Sequence, residues 1–133
     1  MSQLIDELEK EHVFIAELLT KAKKAGVTSK DGLDQLLSAK VMLLTHLKKE
    51  DTKLYPILKS AAERNKDLQQ TLDLFAKDMN ETSKAAVQFF EKYSRGGEGN
   101  EFARDFGRLY STLQTRMRKE ENTLYKEYIK LNP

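Results

Sequence analysis

Two histidines and two glutamates in this sequence have the side-chain chemistry and spacing of metal ligands. His46 precedes Glu50 by four residues, so both side chains would lie on one face of a helix. His12 and Glu120 each lie four residues from a leucine of a helical apolar pattern, which turns them toward an interior. Imidazole and carboxylate groups are ligands for iron(II), manganese and zinc. The alternative for His46 and Glu50 is an ordinary helical pair that contributes a few tenths of a kcal/mol.

The segment that begins at His46 is repeated later in the chain without its histidine. "HLKKEDTKLY" begins at His46, and "RMRKEENTLY" begins at Arg116, 70 residues later. The same offset places Glu120 at the position of Glu50. The repeat indicates two related helical hairpins, and the alternative is a chance similarity between two charged helices.

Apolar residues recur every three or four positions through most of the chain, which is the pattern of amphipathic α-helices. The predicted boundaries are a first helix from about Ser2 to Ala25, a stop at Gly26, a cap at Thr28 or Ser29, a polar turn at 63–67, a glycine-rich break at 95–100, and Pro133 at the end. Pro56 is expected to kink the second helix or to end its regular hydrogen bonding. Four long helices with short connections predict an all-α fold, an up-down-up-down antiparallel four-helix bundle. We expect one domain over residues 1–133, built from hairpins at about 1–62 and 65–133.

Register along the helices places several polar residues at one height inside this bundle. If the chain reverses direction near residues 27, 65 and 98, a rise of about 1.5 Å per residue brings these polar residues to within roughly one helical turn of each other along the bundle axis. The residues of this polar layer are His12, His46, Glu50, Thr82, Arg116 and Glu120. Leu43, three residues before His46, is expected on the same inward face. Because an unpaired buried charge is strongly destabilising, the layer requires either a bound ion or an internal ion pair.

These segments resemble the hemerythrin-like, or HHE cation-binding, domain. The resemblance covers nearly the whole chain, and "EKEH", "HLKKEDTKLYP" and "KEENTLY" carry it. It implies a four-helix bundle with a non-haem di-iron centre, in which histidines of the first two helices bind one iron. On that resemblance His12 and His46 would bind the first metal. Glu50 and Glu120 would bridge the two metals, with Glu121 as an alternative second bridge.

The sequence departs from the family pattern at the second metal. Thr82 stands where the resemblance implies a histidine of the third helix, and Arg116 where it implies one of the fourth. The sequence contains two histidines in all, so none is left to replace them. Reversible oxygen carriage by a pair of irons is therefore not expected. A single ion, most simply iron but alternatively zinc or manganese, would suit the remaining ligands.

Two further outcomes stay open. No metal binds if the guanidinium of Arg116 replaces it and pairs with Glu50 and Glu120. A full two-metal site would need Asp78 or Glu81 as substitute oxygen ligands.

The leading functional hypothesis is a metal-binding or sensing module with at most one non-haem iron-type ion, which responds to iron or to a small diatomic ligand. The alternative is a metal-free regulatory bundle that engages an unidentified protein partner. Histidine phosphotransfer is a third class, but the charge of Glu50 one turn from His46 would repel a phosphoryl group. The sequence identifies no substrate and no general acid, so we do not expect an enzyme.

Composition excludes several classes of function. The 133 residues include 23 basic and 21 acidic side chains, a formal charge of +2, which does not predict nucleic-acid binding. Cysteine is absent, so disulfides and thiolate ligands are excluded. No apolar run approaches the roughly 18 residues that span a bilayer, and no membrane association is expected. The N-terminus lacks the pattern of a secretory signal, and the expected compartment is the cytoplasm.

Overall fold

The computed structural model describes residues 2–131, which form four helical rods joined by short connections. In chain order the elements are α1 (Gln3–Ala25), α2 (Lys30–Lys49), π1 (Glu50–Leu54), α3 (Tyr55–Ala62), α4 (Lys66–Lys92), α5 (Gly99–Lys119), π2 (Glu120–Leu124) and α6 (Tyr125–Leu131). The second rod comprises α2, π1 and α3, and the fourth comprises α5, π2 and α6. Neighbouring rods pack along their lengths, α1 on α2 and on α5, and α4 on α3 and on α5. The prediction of an all-α four-helix bundle is confirmed.

The helix boundaries follow the capping residues of the sequence. Gly26, at φ +82°, ends α1, and the Ser29 hydroxyl accepts a hydrogen bond from the Gly32 N–H at 3.0 Å to begin α2. The polar turn is shorter than predicted, because the Asn65 side chain caps α4 and the helix starts one residue later. The predicted end at Pro133 lies outside the described residues.

Both long composite rods contain a π-helical turn at the same position of the repeat. The regular hydrogen bonding of the second rod is interrupted near Pro56, as expected, because π1 ends two residues before this proline. However, π2 has the same length and is followed by Lys126 at the position of Pro56, so proline is not the shared cause. In each copy the π-helical turn ends at a buried leucine and is followed by a buried tyrosine, Leu54 with Tyr55 and Leu124 with Tyr125.

Two apolar clusters fill the interior, one at each end of the bundle. One contains the aromatic residues next to the glycine-rich connection, among them Phe89, Phe90 and Phe102. The other lies around Leu58 and Tyr128 at the opposite end. Leu43, expected on the inward face with His46, is 3% exposed. Leu44, about 100° around the helix from it, is 38% exposed.

Within the described residues, none of the helices combines the length and the apolar character that a membrane crossing requires.

Gly32 and Gly107 offer a matched test of the packing at the start of α2. A Cβ on Gly32 would lie 1.9 Å from the Gly26 carbonyl oxygen, so Gly32→Ala should lower the free energy of unfolding by about 1–3 kcal/mol. A Cβ on Gly107, inside α5, meets nothing within 4 Å, and Gly107→Ala should raise that free energy by about 0.5–1 kcal/mol. Urea titration with an unchanged m-value measures both. Equal midpoints for the Gly32→Ala variant and the parent chain would contradict the packing argument.

Candidate metal centre

Four buried side chains meet between the two apolar clusters. They are His12 of α1, His46 of α2, Glu50 of π1 and Glu120 of π2. Each exposes 4% or less of its surface. One nitrogen or oxygen of each lies within 4.8 Å of the corresponding atom of all the others. We call these four residues the metal cluster, and the register argument correctly placed them together.

The donor atoms are separated by the distances found between neighbouring ligands of one ion. His12 Nε2 lies 3.1 Å from His46 Nε2 and 3.2 Å from Glu120 Oε1. His46 Nε2 lies 3.5 Å from Glu50 Oε2. Ligand atoms bound to one ion at about 2.1 Å lie roughly 3.0–3.4 Å from each other. The spacing therefore suits a single small cation.

Each histidine is oriented by a carboxylate on the far side of its ring. His12 Nδ1 lies 2.7 Å from Glu121 Oε2, and His46 Nδ1 lies 2.7 Å from Glu11 Oε1. An ionised carboxylate only accepts hydrogen bonds, so both Nδ1 atoms donate, and in the neutral rings both Nε2 atoms carry lone pairs. Two lone pairs that face each other across 3.1 Å repel unless a cation or a proton lies between them. A carboxylate that accepts the hydrogen bond from Nδ1 is the usual support of an imidazole that binds a metal through Nε2.

Sequence reasoning missed Glu11 and misplaced Glu121. The resemblance made Glu121 an alternative bridge, whereas its half-buried carboxylate accepts the hydrogen bond from His12. Glu11 was not singled out, although it stands directly before His12 in the chain. The Lys49 ammonium lies 2.8 Å from the second oxygen of Glu11 and holds this carboxylate against His46. The signal in the sequence was Lys49, three positions after His46, which could have indicated a carboxylate beside this histidine.

Tyr125 adds a hydrogen bond that packing arguments do not predict. Its hydroxyl donates to Glu50 Oε2 at 2.8 Å and lies 3.1 Å from His12 Nε2. The phenol ring stacks on the imidazole of His12 with centroids 5.5 Å apart. Tyr55, its counterpart in the first half of the repeat, has a buried hydroxyl without a hydrogen-bond partner. The two halves of the cluster are therefore unequal in their hydrogen bonding.

The carboxylates retain acceptor capacity that the protein does not use. Glu50 Oε1 and Glu120 Oε2 are buried and make no hydrogen bond to the described part of the chain. Buried polar atoms without partners are rare in folded proteins, and a cation would satisfy these two. The chemistry of the four side chains therefore fits a metal ion.

Burial and the nearby Glu50 carboxylate raise the pKa of Glu120 well above its usual range. Burial lowers the pKa of His46, but hydrogen bonds to Glu50 and Glu11 outweigh it, and the net shift is upward. Burial lowers the pKa of His12, and for Glu50 the effect of burial is outweighed by hydrogen bonds, first among them the one to His46, so its pKa is also lowered. The shifts therefore favour protons on Glu120 and His46, where a metal cation would have to displace them.

Arg116 does not form the ion pair with the cluster that one hypothesis required. Its Nη1 donates to Asp78 Oδ2 at 2.8 Å, at a site where 44% of the Asp78 side chain is exposed. The Arg116 side chain is 11% exposed, so the guanidinium is largely buried while it pairs with Asp78. Its positive charge partly offsets the upward shift in the pKa of Glu120.

The other residues considered for a second metal lie apart from the cluster. Asp78 is engaged by Arg116, and Glu81 is exposed. Neither belongs to the group of potential ligands found among residues 2–131. Thr82 is buried and, with Arg116, lines a cavity of about 20 Å³ that touches both histidines.

Comparison with known families gives an independent result. The family model described as "Hemerythrin HHE cation binding domain" matches residues 3–128. This span includes the metal cluster and both π-helical turns. No match was found among the curated proteins or among the solved structures.

The two repeat-related tyrosines should differ in their effect on stability. Tyr125→Phe removes the donor to a buried carboxylate, so the free energy of unfolding of chelator-treated protein should fall by about 1–3 kcal/mol. Tyr55→Phe is the matched control, because it removes a hydroxyl without a partner and should be neutral or stabilising. Denaturant titration of both variants measures the difference, and equal losses would contradict this assignment.

Metal binding should weaken as the pH falls through the neutral range. The raised pKa values of Glu120 and His46 mean that protons compete with a cation for these groups, so affinity rises with pH and binding releases protons. Calorimetric titration with Zn²⁺ in buffers of different ionisation enthalpy measures both quantities. Glu81→Gln, on an exposed position, is the control and should bind as the parent chain does. Binding without proton release and without pH dependence would exclude this cluster as the site.

Proposed function

Because the chain belongs to the hemerythrin HHE cation-binding domain family, we propose that it is a metal-binding module that holds one ion. The ligands are the four residues of the metal cluster, His12, His46, Glu50 and Glu120. The observation that carries the proposal is the pair of Nε2 atoms that face each other at 3.1 Å, with both Nδ1 atoms already bonded to carboxylates. In this arrangement, two imidazole lone pairs and two carboxylates can bind one cation together.

The limit of one ion follows from the second half of the repeat. Thr82 offers a neutral hydroxyl in place of an imidazole, and Arg116 offers only donors and a fixed positive charge. Its guanidinium bonds to Asp78, so that carboxylate is not free to serve as a substitute ligand. A second ion would therefore have the carboxylates of Glu50 and Glu120 as its main ligands.

Two nitrogen and two oxygen ligands suit iron(II), with manganese and zinc as alternatives. Iron in this site would supply a one-electron centre with positions for a small exogenous ligand. The protein itself contributes the orientation of the imidazoles through Glu11 and Glu121, and the exclusion of water by the apolar clusters.

We propose that the module senses or binds rather than catalyses. The cavity of about 20 Å³ beside the histidines is lined largely by apolar side chains, among them Leu43, Leu113 and Met117. Its size suits a molecule of about the dimensions of water or a diatomic gas. The second candidate, a metal-free regulatory bundle in which Arg116 replaces the ion, has less support because the guanidinium donates to Asp78, which is outside the metal cluster.

Metal analysis tests this function directly. Protein freed of metal, offered iron(II) under reducing conditions and separated from excess ion should retain about one equivalent. His46→Ala should lose it, whereas Glu81→Ala, on the exposed face of α4, should keep it. No retained metal in the parent chain would refute the proposal, and two equivalents would refute the limit of one ion.

Restoring the implied histidines should create a second site. Thr82→His combined with Arg116→His places imidazoles at the repeat positions of His12 and His46, next to the unpartnered oxygens of the glutamates. The same metal analysis should then give about two equivalents. The single variant Thr82→His is the control, and a double variant that still binds one equivalent would show that the second half lacks the necessary geometry.

A further inference from the structure

A surface groove between the second and third rods reaches the metal cluster. It has a volume of about 770 Å³, and π1, α3 and α4 supply most of its lining. Asp51, Glu63 and Asp73 are exposed along its rim, and Glu50 and Tyr55 lie at its base. We call this feature the acidic groove.

Two buried polar atoms at the base of the acidic groove make no hydrogen bond to residues 2–131. Glu50 is 1% exposed and Tyr55 is 8% exposed, and both line the groove. The atoms concerned are Glu50 Oε1 and Tyr55 Oη. A carboxylate oxygen and a phenol oxygen that line one groove are suited to replace water molecules of a hard or borderline cation.

The charges of the acidic groove favour a cation along its whole length. Its lining carries four carboxylates, those of Glu50, Asp51, Glu63 and Asp73, against the single ammonium of Lys59. A cleft lined by charges of one sign concentrates ions of the other sign and raises their association rate.

Two other grooves are lined by a histidine of the metal cluster, and each carries a smaller excess of negative charge than the acidic groove. The groove beside His46 has two carboxylates, those of Glu11 and Asp34, and the Lys49 ammonium binds the first of them, so its excess of negative charge is smaller. The groove beside His12 pairs two acidic side chains with two basic ones. These are Glu17 and Glu121 with Lys21 and Arg118.

We propose that the acidic groove is the route by which a hydrated divalent cation reaches the metal cluster, with Glu50 Oε1 and Tyr55 Oη as the last oxygens before the histidines. This inference rests on the proposed one-metal function and adds the path of loading to it. Asp51 and Asp73 attract the ion at the rim, and Glu50 belongs both to the groove and to the cluster. The ion therefore exchanges its water for protein oxygens before it meets the imidazoles.

The rate of metal uptake tests the route. Metal-free protein is mixed with Co²⁺ at low ionic strength, and its absorption is followed by stopped flow. The double variant Asp51→Asn/Asp73→Asn should lower the bimolecular rate constant by about five-fold or more, since steering by local charge changes association rates by an order of magnitude or more. The final stoichiometry and absorption spectrum should stay those of the parent chain, because neither aspartate is a ligand. High salt should remove most of the difference.

A control variant with the same change in net charge separates the groove from general electrostatics. Glu17→Gln/Glu91→Gln neutralises two acidic residues outside the acidic groove, one of them in the groove beside His12. Its uptake rate should stay within a factor of about two of the parent rate. An equal slowing in both double variants, or none in the groove variant, would overturn the route while leaving the one-metal function intact. Failure of Co²⁺ to bind the parent chain would overturn both.

Discussion

The polar layer depends on two imidazole rings whose Nε2 atoms face each other so closely that a proton or a cation must lie between them. His12 and His46 face each other through Nε2 at 3.1 Å, in a polar layer between two apolar clusters. Glu11 and Glu121 hold both rings in this orientation by accepting hydrogen bonds from Nδ1. The rings therefore cannot turn away without losing those bonds, and a cation is the simplest way to satisfy the site.

The two halves of the chain share a framework but have diverged in chemistry. Both carry a π-helical turn that begins with a buried glutamate and ends beside a buried tyrosine. The half of the repeat that contains both histidines also contains Glu50, which accepts a hydrogen bond from the Tyr125 hydroxyl. In the other half, Thr82 is buried and the Arg116 guanidinium bonds to Asp78. The same framework thus offers two imidazole rings in its first half and none in its second.

Sequence reasoning was sufficient for the fold and for the composition of the cluster, because helical periodicity and the length of each connection determine which residues share a height. It was insufficient for contacts that depend on side-chain rotamers across helices. The bond between Glu11 and His46 joins α1 to α2, and no spacing within either helix predicts it. Arg116 is largely buried, as its register predicted, but its guanidinium bonds to Asp78 and not to the two glutamates that the metal-free hypothesis named. The turn π2 was also unforeseen, since no proline marks it.

The separation of the interior into two apolar clusters has a mechanical consequence. Each end of the bundle is stabilised by its own packed side chains, while the midsection between them is crossed by polar groups. Gain or loss of an ion would therefore alter the rigidity of the midsection and leave the ends in place. On the proposed one-ion function, occupancy would be expressed as a change in helix mobility, without any rearrangement of the tertiary structure.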